Sequence, residues 1–250
     1  MCRLLGYVAR TPTTLAGLLG DTELDEFTEL SVKHRDGWGF AWATHDGVEV
    51  VKSPDAARDS PLFARVAHEQ AADLGLLHLR WATLGLNVVP ENTHPFTDGT
   101  IAFAHNGSIK PPESLDPLVP ADLLAQLHGT TDSERYFLAA LGLARQSNPA
   151  EGLAETVSRI AATLRFGSLN AMIATPTELV VACRFDPEAE AREAEPDYYH
   201  LGYRVTDDAV IVSSSGWGAG WQTLENGHML TIQRATMDIS IRQLPEAKAA

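Results

Sequence analysis

Cys2 directly follows the initiator methionine, so the first side chain after Met1 is a thiol. If Met1 is removed, as the small cysteine side chain is expected to permit, the thiol and a free α-amine belong to the same residue. A thiolate is a strong nucleophile, and an N-terminal amine can act as its general base. Their ordinary pKa values, about 8.5 and about 7.7–8.0, allow easy proton exchange near neutral pH. The sequence therefore predicts nucleophilic chemistry at Cys2.

Two further segments carry groups suited to acyl transfer. Arg80 ends an apolar run, where a guanidinium can hold a carboxylate bidentately, although a surface salt bridge is the simpler interpretation of an isolated arginine. Asn106-Gly107 follows another apolar run, and a side-chain amide with a backbone N–H is a suitable donor pair for an oxyanion. An ordinary Asn-Gly turn explains the same dipeptide.

Histidines at 78, 94 and 105 suggest two other kinds of site. A Cys-His pair is typical of papain-like thiol hydrolases, and cysteine with histidines can bind zinc. No Cys-x-x-Cys or His-x-x-x-His pair accompanies them, which disfavours a metal site. We interpret them as buried hydrogen-bonding residues that shape a pocket, and Cys183 as a buried small hydrophobic residue.

The elements that must position these residues follow an α+β order, with strands first, helices in the middle and strands again. Alternating or apolar runs predict strands over residues 4–9, 39–43, 48–52, 74–81, 100–105, 171–175, 179–184, 198–205, 209–213, 228–233 and 237–242. Helical periodicity predicts helices over residues 24–32, 61–72, 132–145 and 150–164. Residues 106–118 and 186–197 read as loops. The simplest packing is two sheets face to face with helices on their outer faces.

Composition narrows the class of protein. A chain of 250 residues is long enough for one substantial domain, and we expect residues 1–250 to form it. The formal charge of −14 argues against nucleic-acid binding. No apolar run approaches the length of about 20 residues that spans a bilayer, and no secretory signal is recognisable. With only two cysteines, a reducing cytoplasm is the expected location.

The motifs together resemble the class II glutamine amidotransferases, a family of N-terminal nucleophile hydrolases. The resemblance rests on Cys2 and on the segments Asp36-Gly37-Trp38-Gly39, His78-Leu79-Arg80-Trp81-Ala82-Thr83, Asn92-Thr93-His94-Pro95-Phe96, His105-Asn106-Gly107 and Thr131-Asp132-Ser133-Glu134, within about the first 145 residues. It implies a four-layer αββα sandwich. It also implies that Cys2 is the nucleophile, that Asn106 and Gly107 form the oxyanion hole, and that Arg80 and Asp132 bind the α-carboxylate and α-ammonium of a glutamyl group.

The resemblance implies lesser roles for two neighbours of Arg80. Trp81 and Thr83 would present backbone carbonyls to the substrate amine, whereas packing in the core is their alternative role. Asp132 is also explained by its place at a helix start, where the dipole favours a carboxylate. Neither a metal nor an organic cofactor is expected.

The expected reaction is hydrolysis of glutamine or of a γ-glutamyl conjugate through a thioester on Cys2. A glutaminase subunit that delivers ammonia to a separate partner enzyme is one alternative, and a degenerate binding domain is another. The chain is also similar to the amidohydrolase of ergothioneine biosynthesis, which removes a γ-glutamyl group from a hercynyl-cysteine sulfoxide. That relative typically opens Met-Cys-Arg-His-Leu-Gly, whereas Leu4 replaces the histidine here.

Overall fold

The computed structural model describes residues 2–82, 87–193 and 197–246. Two antiparallel sheets dominate these residues, one of seven strands and one of six. The first sheet, in spatial order β11-β9-β10-β1-β4-β2-β3, contains β1 Arg3–Thr13, β2 Trp38–Ala43, β3 Val48–Ser53, β4 Ala72–Leu79, β9 Leu201–Val205, β10 Ala209–Ser213 and β11 Gln222–Leu224. The second, in order β13-β12-β8-β7-β6-β5, contains β5 Phe96–Thr97, β6 Ala102–Ile109, β7 Phe166–Ala174, β8 Glu178–Cys183, β12 His228–Gln233 and β13 Ile239–Gln243.

The longer helices lie on the outer faces of this pair of sheets, which makes four layers. They are α1 Leu15–Glu29, α2 Pro61–Glu69, α4 Asp132–Ala144 and α5 Pro149–Thr163. Two short helices, α3 Ala121–Leu124 and α6 Pro187–Glu190, lie in the connections between the longer elements. Helices α1 and α2 pack on the first sheet in one apolar cluster, and α4 and α5 pack on the second sheet in another. A third cluster fills the space between the sheets. The predicted αββα sandwich is therefore confirmed.

Strand β1 shows how the sequence produces these layers. Its side chains alternate, so that Leu4 and Val8 belong to the cluster between the sheets while Leu5 and Tyr7 belong to the helix-covered face. Gly6 lies between Leu4 and Val8, and a Cβ there would come within 2.9 Å of Leu179 and Met172 on the facing sheet. A strand buried on both faces must be almost continuously apolar, as this one is.

Two predicted helix starts are confirmed in detail. The Thr131 hydroxyl accepts the Glu134 N–H at 3.1 Å and caps α4, and the Ser60 hydroxyl accepts the Phe63 N–H at 3.2 Å and caps α2. The Glu134 carboxylate completes no capping box, because it accepts N–H groups from the preceding loop, those of His128 at 2.9 Å and Gly129 at 2.7 Å.

Several element boundaries differ from the sequence prediction. The first helix begins at Leu15, not at residue 24, and the short α3, β5 and β11 were not predicted. The predicted loop over residues 106–118 is wrong at its start, because β6 continues to Ile109 and pairs Asn106 with Asn170 and Gly107 with Leu169. A register shift after Gly107 then ends the regular pairing. Across residues 2–82, 87–193 and 197–246, no helix has the length and apolar character needed to traverse a bilayer.

Candidate active site

Cys2 lies immediately before β1, beside the end of β4. The antiparallel register places Arg3 opposite Leu79, which puts Cys2 opposite Arg80. The Trp81 backbone N–H donates to the Cys2 Sγ at 3.5 Å, and the thiol faces the Trp81 carbonyl at 3.8 Å. Because Leu4 points into the space between the sheets, the strand alternation directs Cys2 into the same space.

The surroundings of the Cys2 thiol both raise and lower its pKa. Burial raises its pKa above the usual value, and the Trp81 backbone N–H and the Arg80 guanidinium oppose that rise. The Asp132 carboxylate raises the pKa as well. Both predicted clamp residues therefore act on the thiol, which supports their closeness to it.

The Arg80 side chain is buried and partly committed to the backbone around it. Its guanidinium donates to the Asp36 carbonyl and to the Asn87 carbonyl, each at 3.2 Å. Burial lowers its pKa, while Cys2 and Asp36 raise it. An arginine has five N–H donors in a planar fork, so donors remain for a bound carboxylate.

Asp36 was singled out in the sequence only as part of a glycine-containing segment, yet it holds the Arg80 segment in place. Its carboxylate accepts the Ala82 N–H at 2.8 Å, and its own N–H donates to the Arg80 carbonyl at 3.0 Å. The Arg80 N–H donates in turn to the Gly37 carbonyl at 2.8 Å. Gly37 has φ of 128°, which disfavours any side chain there. The sequence analysis did not predict this role of Asp36. The Asp36-Gly37 dipeptide is the sequence signal that could have indicated it, because glycine after aspartate often marks a special backbone conformation.

Asn106 is fully buried in β6, and neither atom of its side-chain amide has a hydrogen-bond partner among the described residues. Ala104, two residues earlier, belongs to the cluster between the sheets, so Asn106 points into the same space as Cys2. A buried amide without partners is costly in a folded protein. The Asn106 amide is therefore able to donate a hydrogen bond to a ligand oxygen.

Gly107 is required by close packing against the neighbouring strand. A Cβ at this position would collide with the Ser168 carbonyl oxygen and approach the His105 Nε2 at 2.6 Å. The backbone of β6 thereby comes close to β7 at the point where the register shifts.

Asp132 is the first residue of α4, and its carboxylate is tied to the end of β6. The Asp132 Oδ2 accepts the Ile109 N–H at 2.7 Å, and the Ser133 hydroxyl lies 3.5 Å from Oδ1. The other carboxylate oxygen retains room for an ammonium group, since each oxygen accepts more than one hydrogen bond.

His105 connects the strand of Asn106 with the helix of Asp132. Its Nε2 lies 2.9 Å from the Ser168 carbonyl, which only accepts, so Nε2 carries the proton and donates. Nδ1, 2.9 Å from the Ser133 hydroxyl, then accepts from it. Burial lowers the His105 pKa, which favours this neutral tautomer, although Asp132 opposes the shift.

The other two histidines pack against each other in the core, with their rings tilted by 33°. The rings of His78 and His94 lie 4.1 Å apart and are buried, and burial holds both pKa values well below the usual range. No group of three or more His, Cys, Asp or Glu side chains among the described residues is arranged to hold a metal ion.

The structure thus brings Cys2, Arg80 and Trp81 together at one end of the first sheet and ties Asp132 to the strand of Asn106 and Gly107 on the facing sheet. The Trp81 backbone faces the thiol, while the residue as a whole is 38% exposed and its ring centre lies 4.9 Å from the Lys33 ammonium. Thr83 lies outside the described residues.

A family model of class II glutamine amidotransferases matches residues 1–249. The chain belongs to this family. One related protein, from Haemophilus influenzae, is named "Putative glutamine amidotransferase". It is 28% identical over an alignment of 221 positions, which covers 84% of this chain and 71% of that protein. Another relative is the gamma-glutamyl-hercynylcysteine sulfoxide hydrolase of Mycolicibacterium smegmatis, 24% identical over 94% of this chain and 97% of that protein.

Solved structures of class II amidotransferases share the fold. A class-II domain protein from Silicibacter pomeroyi superposes with a TM-score of 0.69 at 22% identity and covers 99% of this chain and 100% of its own. The glutamine phosphoribosylpyrophosphate amidotransferase of Bacillus subtilis superposes with a TM-score of 0.65 at 18% identity over 98% of this chain and 49% of its own. The fold is therefore the sandwich of N-terminal nucleophile hydrolases.

Proposed function

We propose that this amidotransferase hydrolyses the γ-amide of glutamine or of a γ-glutamyl conjugate through a thioester on Cys2. The observation that carries the proposal is the Asn106 amide, buried without a partner and directed into the space that Cys2 also faces. Hydrogen-bond donors that have no partner in the described part of the folded chain suit an oxyanion that exists only during the reaction.

The clamp residues explain why the acyl group is glutamyl. Arg80 supplies a guanidinium for an α-carboxylate, and Asp132 supplies a carboxylate for an α-ammonium. Both side chains are fixed by backbone hydrogen bonds, so little conformational entropy is lost when the substrate binds. The clamp would orient the γ-carbonyl towards Cys2.

The chemistry proceeds in two balanced steps. With Met1 removed, the Cys2 α-amine takes the thiol proton, and the thiolate sulfur bonds to the γ-carbonyl carbon. The Asn106 amide and the Gly107 N–H hold the oxyanion; the C–N bond then breaks while the protonated amine gives its proton to the leaving nitrogen. Water next adds to the thioester, the C–S bond breaks, and glutamate leaves as the thiol regains its proton.

The test combines intact mass with turnover. The purified protein is incubated with L-glutamine, glutamate release is followed, and a diazoketone analogue of glutamine is used as the labelling reagent. We expect a chain without Met1, glutamate release and one adduct on the Cys2 peptide. Full turnover with Met1 retained, or an adduct on Cys183 alone, would contradict the mechanism.

A second candidate is hydrolysis of a γ-glutamyl-hercynylcysteine sulfoxide, favoured by the similarity over nearly the full length of both chains to the hydrolase named above. Delivery of ammonia to a separate enzyme is a third, because glutamine–fructose-6-phosphate aminotransferase of Streptococcus pyogenes matches 44% of this chain but only 17% of that protein. Turnover of glutamine by the isolated protein supports hydrolysis, and turnover that requires an added synthetase supports ammonia delivery.

A further inference from the structure

Asn92 is a buried side chain that the proposed mechanism does not use. It is 2% exposed and ends a short 3-10 turn, Pro90–Asn92, between Arg80 and β5. Its side-chain amide donates to the Asn87 carbonyl at 3.1 Å and to the Thr130 hydroxyl at 3.4 Å, and it accepts the Thr130 N–H at 2.9 Å. One amide group therefore joins two segments that lie 38 residues apart in the sequence.

Each of these two segments carries one half of the proposed clamp. The Asn87 carbonyl, which accepts the Asn92 amide, also accepts the Arg80 guanidinium at 3.2 Å. A carbonyl oxygen has two lone pairs, so it can accept both donors together. Thr130 lies two residues before Asp132, the first residue of α4. The Asn92 amide thus shares an acceptor with Arg80 and holds the backbone that leads into Asp132.

The turn that carries Asn92 is fixed by contacts of its own. The Lys52 ammonium donates to the Thr93 carbonyl at 2.7 Å, and the Thr93 hydroxyl donates to the Val89 carbonyl at 2.9 Å. On the other side, a Cβ at Gly129 would come within 2.4 Å of the Asn92 Oδ1, so the segment before α4 packs directly on the amide. A side chain locked in this way can hold the groups around it at a fixed separation.

We propose that Asn92 is a positioning residue that sets the separation of Arg80 and Asp132, and with it the fit of the clamp to an amino-acid head. The inference rests on the proposed function and deepens it, because the clamp must hold the α-carboxylate and the α-ammonium at the same time. A substrate with both groups gains from its second contact only where the two clamp residues are correctly spaced. Truncation of Asn92 removes the direct connection between the Asn87 carbonyl and the Thr130 N–H.

The test measures the preference of the enzyme for glutamine over two analogues that each lack one end of the head. Glutaramate is glutamine without its α-amino group, and 4-aminobutanamide is glutamine without its α-carboxylate. For the wild-type protein we expect kcat/KM for glutamine to exceed that for either analogue by about 10–100-fold, as the loss of a hydrogen bond to a charged group predicts. In Asn92→Ala both preferences should fall by about tenfold, because the two ends of glutamine are no longer engaged together.

Asn92→Asp separates the two arms of the connection. Its carboxylate can still accept the Thr130 N–H but cannot donate to the Asn87 carbonyl. The preference over 4-aminobutanamide, which reports the Arg80 end, should therefore fall more than the preference over glutaramate. This variant carries the test if Asn92→Ala does not fold.

Asn226→Ala is the matched control. The Asn226 amide accepts the Phe185 N–H and donates to the Phe185 carbonyl, each at 3.0 Å, and so joins the segments that follow β8 and β11. Its loss should lower stability and keep both preferences, because the amount of folded enzyme cancels in a ratio of two kcat/KM values.

The outcomes separate this inference from the proposed function. Wild-type preferences in folded Asn92→Ala, or an unchanged preference over 4-aminobutanamide in Asn92→Asp, overturn the inference while glutamine is still hydrolysed. An equal loss of preference in Asn226→Ala overturns it as well. No hydrolysis of glutamine by the wild-type chain without Met1 contradicts the proposed function itself.

Discussion

The two cysteines of the chain are both buried free thiols, yet their surroundings differ. Burial, with the carboxylates of Glu190 and Glu225, raises the pKa of Cys183 to about 12, opposed only by a backbone contact with Leu201. Burial also raises the pKa of Cys2, but a backbone N–H and the Arg80 guanidinium oppose the rise. Burial alone therefore does not distinguish a structural thiol from a nucleophile; the neighbouring donors and charges do.

Two buried asparagines also differ in their hydrogen-bond partners. Asn106 and Asn170 are opposite each other on β6 and β7, and both are fully buried. The Asn170 amide donates to the Tyr199 carbonyl at 2.5 Å and accepts the Arg184 N–H at 2.9 Å. The Asn106 amide has no partner among the described residues. One asparagine thus stabilises the fold, and the other is available to a ligand.

The largest effect is expected from the thiols. Cys2→Ala should reduce glutamine hydrolysis by at least about 10³-fold, because no other side chain can form the thioester. Cys183→Ala is the matched control and should retain turnover while it costs about 1–2 kcal/mol of stability, as for a small cavity in the core. Steady-state glutamate release and urea unfolding measure both. Comparable losses of turnover in the two variants would remove the distinction between the cysteines.

The asparagines give the next largest effect. Asn106→Ala should lower kcat by about 10²–10³-fold through loss of an oxyanion donor. Its free energy of unfolding should not fall, since no hydrogen bond of the folded chain is lost and an unpaired buried amide is removed. Asn170→Ala should instead lose about 1–3 kcal/mol for each group left unpaired. Glutamine kinetics and urea unfolding of both variants measure these effects. If Asn106 had only a structural role, Asn106→Ala would lose stability as Asn170→Ala does and would keep its kcat.

Gly107, the residue after Asn106, supplies the second proposed oxyanion donor through its backbone N–H. Gly107→Ala places a methyl group against the Ser168 carbonyl, so β6 must move away from β7. We expect a loss of about 1–3 kcal/mol of stability, as for overpacking in a core, together with a lower kcat. Gly216→Ala is the matched control, because its Cβ would make only an ordinary contact with the Trp221 side chain at 3.8 Å, so it should leave stability and kcat nearly unchanged. Equal kcat values for Gly107→Ala and wild type would argue against the Gly107 N–H as a donor.

Much of the fold could be predicted because its signals are local. The strand over residues 4–9 and the helix starts at residues 61 and 132 depend on neighbours in sequence, and all three are confirmed. The start of α1 could not be predicted, because Gly20 interrupts the helix with φ of 74° and obscures the periodicity. The end of β6 was missed because Asn-Gly usually turns, whereas pairing with β7 keeps it extended.

The residues of the site also divide into those with a local signal in the sequence and those that depend on contacts between distant segments. Cys2, Arg80 and Asp132 stand out by residue type, so their chemistry is visible in the sequence. The roles of Asp36 and Ser133 depend on contacts between distant segments, such as Asp36 with Ala82.

His94 is a buried polar side chain that lacks hydrogen-bond partners in the described part of the chain but is not assigned to a ligand. Both of its ring nitrogens lack partners among the described residues, as the Asn106 amide does. Yet the ring packs between His78 at 4.1 Å and Phe96 at 4.6 Å, and nothing assigns it to a substrate. A neutral imidazole without partners is tolerated only while it stays uncharged, so its cost should appear as a dependence of stability on pH.

Burial holds the His94 pKa well below the usual value of about 6.5, so the unfolded state binds the proton first. Stability is then fully present above about pH 6.5 and falls as the pH drops below it, by about 1.4 kcal/mol per pH unit for each such histidine. His94→Gln should lower that slope by about 1.4 kcal/mol per pH unit, which corresponds to one proton, in urea unfolding between pH 7.5 and 5.0. His45→Gln, at a 94% exposed side chain, controls for loss of an imidazole. If His94→Gln keeps the wild-type slope and instead loses glutamine turnover as Asn106→Ala does, His94 belongs with the ligand-facing groups and the comparison must be widened to include it.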